Sequence, residues 1–296
     1  MRVCVPSLIL LAYRSRLLPA SLASGLFWRV AVRSPCVRRL APIKRVQLGN
    51  TTLSLRLPLQ YQQNWTLLFN RLDASPDAFT LRVFRHYVRR SSCVFDVGAN
   101  VGFYFLSALS ARNVQTEVHA FEPQGELAAL LQDHVHRNVL ARAHVVPRAV
   151  SSCSGRAQLM IPQSGTMASL EPGFLTRRAA SWIESVAVET TSLDDYASTI
   201  GCLPDLIKID VEGHEPSVLE GAKRILESRP TLLVEISAES AHSRPIMTLF
   251  ELGYLAYAVE GRQLVPVTHA ALCEHFRESG APRSDCLFTV LPPPDL

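Results

Sequence analysis

The stretch Cys93-Val94-Phe95-Asp96-Val97-Gly98-Ala99-Asn100-Val101-Gly102 constrains the fold more than any other part of the chain. A short apolar run ends in small residues, and an apolar pattern of helical period follows. That order predicts a buried strand, a tight glycine turn and a helix starting near Val101. Gly98 permits backbone angles that a Cβ forbids, and Gly102 allows close approach of helix, strand and ligand. The new helix would aim its unpaired N–H groups at the turn, so an anionic cofactor group is expected there.

The pattern around this turn repeats. A hairpin is expected over Val46–Leu57 around Gly49-Asn50, and Pro58 ends it. Ser75-Pro76 opens a helix with Phe79, Val83, Tyr87 and Val88 on its apolar side. After Phe103–Arg112 come a strand at Thr116–Glu122, a helix at Gln124–Asn138 and a strand at Ala143–Ala149. Alternation of this kind reads as a doubly wound parallel α/β sheet. Short strands are expected at Leu159–Ile161 and Val186–Glu189, flanking a loop at Pro162–Gly173. Further strands follow at Leu203–Asp210 and Thr231–Ile236, with helices at Pro216–Arg229 and Ser243–Leu252. Tyr254–Val259 and Cys286–Leu291 pair last, for about seven strands in one domain.

Charge divides the chain. Met1–Leu72 holds eleven of the 30 basic residues and no acid. The remainder holds the other 19 and all 26 acids, a net −7. Residues 1–43 therefore read as a basic extension and 44–296 as a mildly acidic enzyme-like domain. Three readings of the extension stay open: a poorly ordered or loosely packed arm, an amphipathic arm resting on an anionic membrane or partner, and an organelle transit peptide. Its apolar run, Val3–Ala12, is about half the ~20 residues of a membrane span. Without interleaved aromatics it does not read as a nucleic-acid surface. The seven scattered cysteines show no CxxC pair, which suggests neither a zinc site nor a disulfide framework and points to the cytoplasm or another reducing compartment.

Chemistry is read from acids at strand ends, where open α/β sheets bind ligands. Asp96, Glu122, Asp210 and Glu235 sit there, with Glu212 close behind. Glu122 lies twenty residues after Gly102, where a carboxylate would accept hydrogen bonds from both ribose hydroxyls. A dinucleotide fingerprint would carry a middle glycine, but Asn100 stands in its place. Asp96 before the turn suits a cation better than two phosphates. S-adenosylmethionine combines a ribose, a sulfonium, an ammonium and a carboxylate, and fits better.

Asp96-Val97-Gly98-Ala99-Asn100-Val101-Gly102, Phe121-Glu122-Pro123, and Ile207-Lys208-Ile209-Asp210-Val211-Glu212-Gly213-His214-Glu215 with Val218-Leu219-Glu220-Gly221-Ala222 resemble the FkbM family of methyltransferases. The resemblance spans roughly Val46–Leu291. It implies a class I Rossmann-like fold and methyl transfer from S-adenosylmethionine to a hydroxyl, often on a sugar or natural-product acceptor. Members often carry Glu-Pro before the first strand, where Ser75-Pro76-Asp77 stands here. The resemblance is silent on the basic arm.

Asp96, Gly98, Asn100, Gly102 and Glu122 are thus the expected cofactor residues. Asn138 and Arg148–Ser151 are candidates to border the adenine, or simply a helix end and a loop. Asp210, Glu212, His214 and Glu235 are the candidates for removing the acceptor proton. Alternatively, two or three of these carboxylates bind Mg²⁺. Lys208 is expected to pair with an acid, and Ser169 to lie on a loop gating the acceptor. A nucleotide-dependent oxidoreductase and a non-catalytic scaffold are the competing functions.

Overall fold

The computed structural model describes residues 40–61, 64, 67, 77–113, 115–162, 168–171, 182–279 and 283–294. Nearly all of the basic arm, the Ser75-Pro76 helix start and much of the Pro162–Gly173 loop lie outside the described residues. Among the described residues no helix is long and apolar enough to cross a membrane. Two units are present: residues up to Ala78 with Asp133–Val139, and Phe79–Gln132 with Leu140–Leu296.

The first unit contains the expected hairpin. Strands β1 (Ile43–Leu48) and β2 (Thr51–Arg56) pair antiparallel around Gly49-Asn50. Val46, Leu48, Leu53 and Leu55 are buried, as alternation demands. Asn138 is spent here. Its side chain donates to the Ser54 and His134 carbonyls at 3.0 and 2.8 Å and accepts from Ser54 N–H at 2.7 Å. That is a structural clamp on β2 and a helix end, which uses the amide's hydrogen-bonding groups on backbone.

The second unit is organised around β3 (Cys93–Val97), all five residues of which are buried. It is preceded by α1 (Ala78–Val88) and followed by α2 (Phe103–Ala111), β4 (Glu117–Phe121), α3 (Gly125–Arg137, its last turn in the first unit) and β5 (Ala143–Val146). Next come β6 (Ala149–Val150), β7 (Gly155–Pro162), β8 (Trp182–Thr191), α4 (Leu193–Ile200) and β9 (Leu206–Ile209). Then follow α5 (Glu215–Glu220), α6 (Lys223–Glu227), β10 (Thr231–Ser237), α7 (Arg244–Glu251) and β11 (Leu255–Glu260). The last elements are β12 (Gln263–Val267), α8 (His269–Ser279) and β13 (Arg283–Thr289).

The main sheet has the order β12-β11-β13-β10-β9-β3-β4-β5. From β10 to β5 every pairing is parallel, whereas β13 runs antiparallel to both β10 and β11. This is the expected α/β class, and β11 and β13 pair as anticipated. The count is eight strands rather than seven. The addition is β12, an edge strand with no fully buried residue and with Pro266 as its fourth residue of five. Weak alternation and a proline hide such a strand from pattern reading, yet an edge tolerates both.

Three other boundaries moved. The strand expected at Ala143–Ala149 breaks after Val146, and Ala149-Val150 enters a second sheet, β6-β8-β7. The flanking strands of that sheet are longer than expected. The helix expected over Pro216–Arg229 is cut into α5 and α6 at Gly221, where the backbone runs so close to the Ser151 carbonyl that a Cβ has no room. The chain leaves β3 towards β4 on one side while β9 lies on the other. That reversal opens a crevice at the carboxyl ends of β3 and β9.

Candidate active site

Parallel register brings the strand ends together. Asp96 stands opposite Ala120 on β4 and Lys208 on β9. The β3 turn then closes on β9: Asp210 N–H donates to the Val97 carbonyl at 3.0 Å. Gly98, at φ +83°, faces the Asp210 carbonyl so closely that any Cβ would occupy the oxygen's place. This glycine joins the two halves of the crevice. Gly102 caps α2 in a left-handed conformation and faces Leu131 on α3, whose Cδ2 a Cβ would meet at 2.5 Å.

The turn is not a free anion cradle. Gly98 and Ala99 N–H both donate to the Phe121 carbonyl at 3.0 Å, and Gly102 N–H to Ala99 at 2.8 Å. Asn100 N–H donates to Glu122 Oε2 at 2.8 Å, and Val101 N–H to the Asn100 side chain at 2.7 Å. Every N–H from 98 to 102 is therefore occupied, and α2 begins at Phe103 rather than Val101. The anionic group expected at the turn finds no donor in it. What the turn holds instead is the Glu122 carboxylate, whose other oxygen accepts from Gln124 N–H at 2.8 Å.

Asp96 is 1% exposed, and its Oδ2 has no hydrogen-bond partner among the described residues. Burial pushes its pKa up to about 7; Lys208 pulls it down, Asp210 pushes it up, and Phe105 N–H donates to the carboxylate. Glu122, also buried, is raised to about 7 by desolvation against the pull of its two N–H donors.

On β9 and β10 the acids are closed on cations. Lys208, wholly buried, holds Asp210 Oδ2 at 2.9 Å and lies 4.8 Å from the centre of the Tyr104 ring. Desolvation disfavours its charge, but Asp210, Asp285 and Asp96 more than restore it, so its pKa rises. Arg283 donates through one nitrogen to both Glu212 Oε2 and Glu235 Oε2, each at 2.8 Å. Acids outnumber cations in this group. Glu235 bears the consequence: burial, then the Asp210 charge, raise it to about 9, against the pull of Arg283. Glu212 sits at φ +54°, a strained value for a non-glycine residue. Glu215 underpins the bend by accepting from Val211 and Gly213 N–H at 3.2 and 3.0 Å.

His214 forms a different set. Its Nε2 is 3.0 Å from Ser151 Oγ and its Nδ1 is 2.7 Å from Glu171 Oε1. With both nitrogens engaged, it can take a proton from an acceptor only by releasing one partner. Ser169 donates to the Glu212 carbonyl at 2.7 Å and accepts from Glu171 N–H at 3.0 Å, so it fastens this loop to the β9 end. A cavity of about 240 Å³ opens beside it, lined by Glu171, Gly213, Ser217, Ser237, Glu239 and Ser243 among others. Arg283 and Glu171 were not foreseen as site residues, and Ser151, expected as a candidate to border the adenine, instead meets His214. Glu171 lay inside the loop singled out at Pro162–Gly173, though not as a named residue, and no local signal marks Arg283.

The model of the methyltransferase FkbM domain matches residues 96–256. The hexuronic acid methyltransferase AglP of Haloferax volcanii is 29% identical over 170 residues, which cover 56% of this chain and 64% of that protein. The match thus spans just under two thirds of that curated relative. Among solved structures, methyltransferase FkbM from Methylobacillus flagellatus superposes with a TM-score of 0.43 at 17% identity, covering 91% of this chain and 60% of that one. The O-methyltransferase from Bacillus cereus in complex with SAH gives 0.41 at 12% identity, covering 74% of this chain and 82% of that one.

Proposed function

The chain belongs to the FkbM methyltransferase family, and from that premise we propose that it moves a methyl group from S-adenosylmethionine to a hydroxyl of a saccharide acceptor. The observation that carries the donor is Asp96 Oδ2, a buried carboxylate oxygen with no hydrogen-bond partner among the described residues. An ammonium group supplies both the missing donor and the missing charge. The methionine end of the cofactor has one. A nucleotide phosphate would add negative charge beside Asp96, which disfavours the oxidoreductase reading. Glu122 keeps lone pairs beyond the two N–H bonds it accepts, enough for ribose hydroxyls.

Bound S-adenosylmethionine supplies an activated methyl group and a good leaving group. The chain's own residues must orient the acceptor and receive its proton. Asp210 is our candidate base. Its side chain is a third exposed, with Oδ2 held by Lys208, so the carboxylate is anchored at one end and approachable. Glu212 and Glu235, locked by Arg283, serve to shape the acceptor side. His214 with Glu171 is a second proton acceptor, available when Ser151 turns away. Lys208 and Arg283 already face the carboxylates that would otherwise hold Mg²⁺, which favours a metal-independent reaction. The saccharide class is taken from the named relative.

The test is calorimetry of S-adenosylmethionine with wild type and Asp96→Asn, followed by labelled-methyl transfer to neutral and uronic saccharides, with and without EDTA. Binding that weakens at least tenfold in the variant, with EDTA-resistant labelling of a sugar hydroxyl, is the expected result. Unchanged affinity in Asp96→Asn would overturn the donor assignment; absence of sugar labelling would overturn the acceptor class alone.

A further inference from the structure

We propose that Glu117, His119 and His144 form a Zn²⁺ site on the β4–β5 edge of the main sheet, at the opposite end of the strands from the active site. Register brings the three together. Glu117 and His119 are two residues apart on β4 and so share a face, and His144 on β5 is the direct cross-strand partner of His119. One donor atom from each residue lies within 4.8 Å of the others. Glu117 Oε2 is 3.0 Å from His144 Nε2 and 3.7 Å from His119 Nε2. Tetrahedral zinc, with bonds of ~2.0–2.1 Å, keeps its donors roughly 3.4 Å apart, between those two values.

An independent observation points to a ligand. His119 is 2% exposed, and its Nε2 is buried without a hydrogen-bond partner among the described residues. Packing against the Phe95 and Tyr196 rings explains where the imidazole lies but leaves that nitrogen unsatisfied. The other nitrogen, Nδ1, is 2.9 Å from the Tyr196 hydroxyl. With Nδ1–H donating there, Nε2 carries its lone pair towards Glu117. The carboxylate is oriented in the same way: Arg142 donates to Oε1 at 2.8 Å and leaves Oε2 to face the two imidazoles. Outer partners of this kind commonly accompany metal-bound histidine and carboxylate.

Two imidazoles and one carboxylate suit zinc, with water in the fourth position, better than the oxygen-seeking Mg²⁺ or Ca²⁺. One adjustment is needed. The His144 ring stacks on His119, with centroids 4.5 Å apart and planes 16° apart, so the lone pairs of the two rings run parallel. The His144 side chain is 46% exposed, and its present Nε2 contact with Glu117 Oε2, at 3.0 Å, would be exchanged for the ion as the ring turns. The ion would then rivet β5, the edge strand, to β4.

The experiment uses full-length, tag-free protein stripped with chelator, titrated with Zn²⁺ by calorimetry and with Co²⁺ by absorbance. One ion should bind per chain, and Zn²⁺ at ~100 times Kd should raise the thermal midpoint by roughly 5–10 °C. His144→Ala and Glu117→Gln should each weaken binding at least tenfold while leaving S-adenosylmethionine affinity unchanged. Both side chains are partly exposed, and circular dichroism checks that the variants fold. Absence of binding to wild type, or equal affinity in the Glu117→Gln/His144→Ala double variant, would overturn the site.

Discussion

The acids at the ends of β3 and β4 and those at the ends of β9 and β10 lie along one edge of the same sheet, yet they are kept in opposite ways. Asp96 and Glu122 are buried with backbone N–H donors and no side-chain ion pair, so desolvation raises both towards neutrality. Asp210, Glu212 and Glu235 are each tied to Lys208 or Arg283. In the function proposed above, a cationic ligand completes the first pair. The second group has two cations of the chain for its three acids, and Glu235 carries the excess, raised to about 9.

The most damaging way to break this division is to wedge its halves apart. Gly98→Ala puts a Cβ on the Asp210 carbonyl at a positive φ, and expression trials should yield no folded protein. Asp210→Asn should preserve the fold and cofactor affinity but cut kcat by about 10³-fold, read by labelled-methyl transfer; full activity would remove Asp210 from the reaction. Removing the shared cation, Arg283→Met, leaves Glu212 and Glu235 facing each other. Thermal unfolding at neutral pH should report a loss of about 2–3 kcal/mol, whereas an unchanged midpoint would show that the two groups are not differently held. Glu122→Gln, which keeps an oxygen for the Asn100 and Gln124 N–H donors, should weaken S-adenosylmethionine about tenfold by calorimetry at a cost in stability of no more than ~1–2 kcal/mol.

The smallest effect is the most diagnostic. Asp96 and Glu122 are raised from ordinary carboxylate values to about 7, so the folded state holds their protons more tightly than the unfolded chain. Their contribution to ligand-free stability is full below about pH 4 and is lost as pH rises through 7. The thermal midpoint of the ligand-free protein should therefore fall between pH 6 and pH 8. An ammonium at Asp96 favours the ionised form, so binding near pH 6 should release protons. Calorimetry in buffers of different ionisation enthalpy would detect up to one proton, and Asp96→Asn should abolish its share.

Legibility differed between the same two regions. Asp96, Gly98, Asn100, Gly102 and Glu122 were readable because a strand, a turn and the next strand's end are near neighbours along the chain, and spacing reports them directly. The acids of β9 and β10 were readable as strand ends, but their partners were not. Arg283 reaches Glu212 across 71 residues, and Glu171 reaches His214 across 43. The occupied N–H groups of the Gly98–Gly102 turn also escaped prediction, since the Phe121 carbonyl that takes two of them arrives from β4.

Sequence alone determined the alternation of strand and helix, the buried parallel sheet, the glycine turn and the acids at its carboxyl edge. All of these are encoded in local period and composition. Tertiary structure decided which acid is paired with a cation and which is held by backbone N–H groups alone. It also decided the break at Gly221, the eighth strand, and the meeting of Glu117, His119 and His144. Those outcomes depend on strand order and register, which fix distances between residues that the chain keeps far apart.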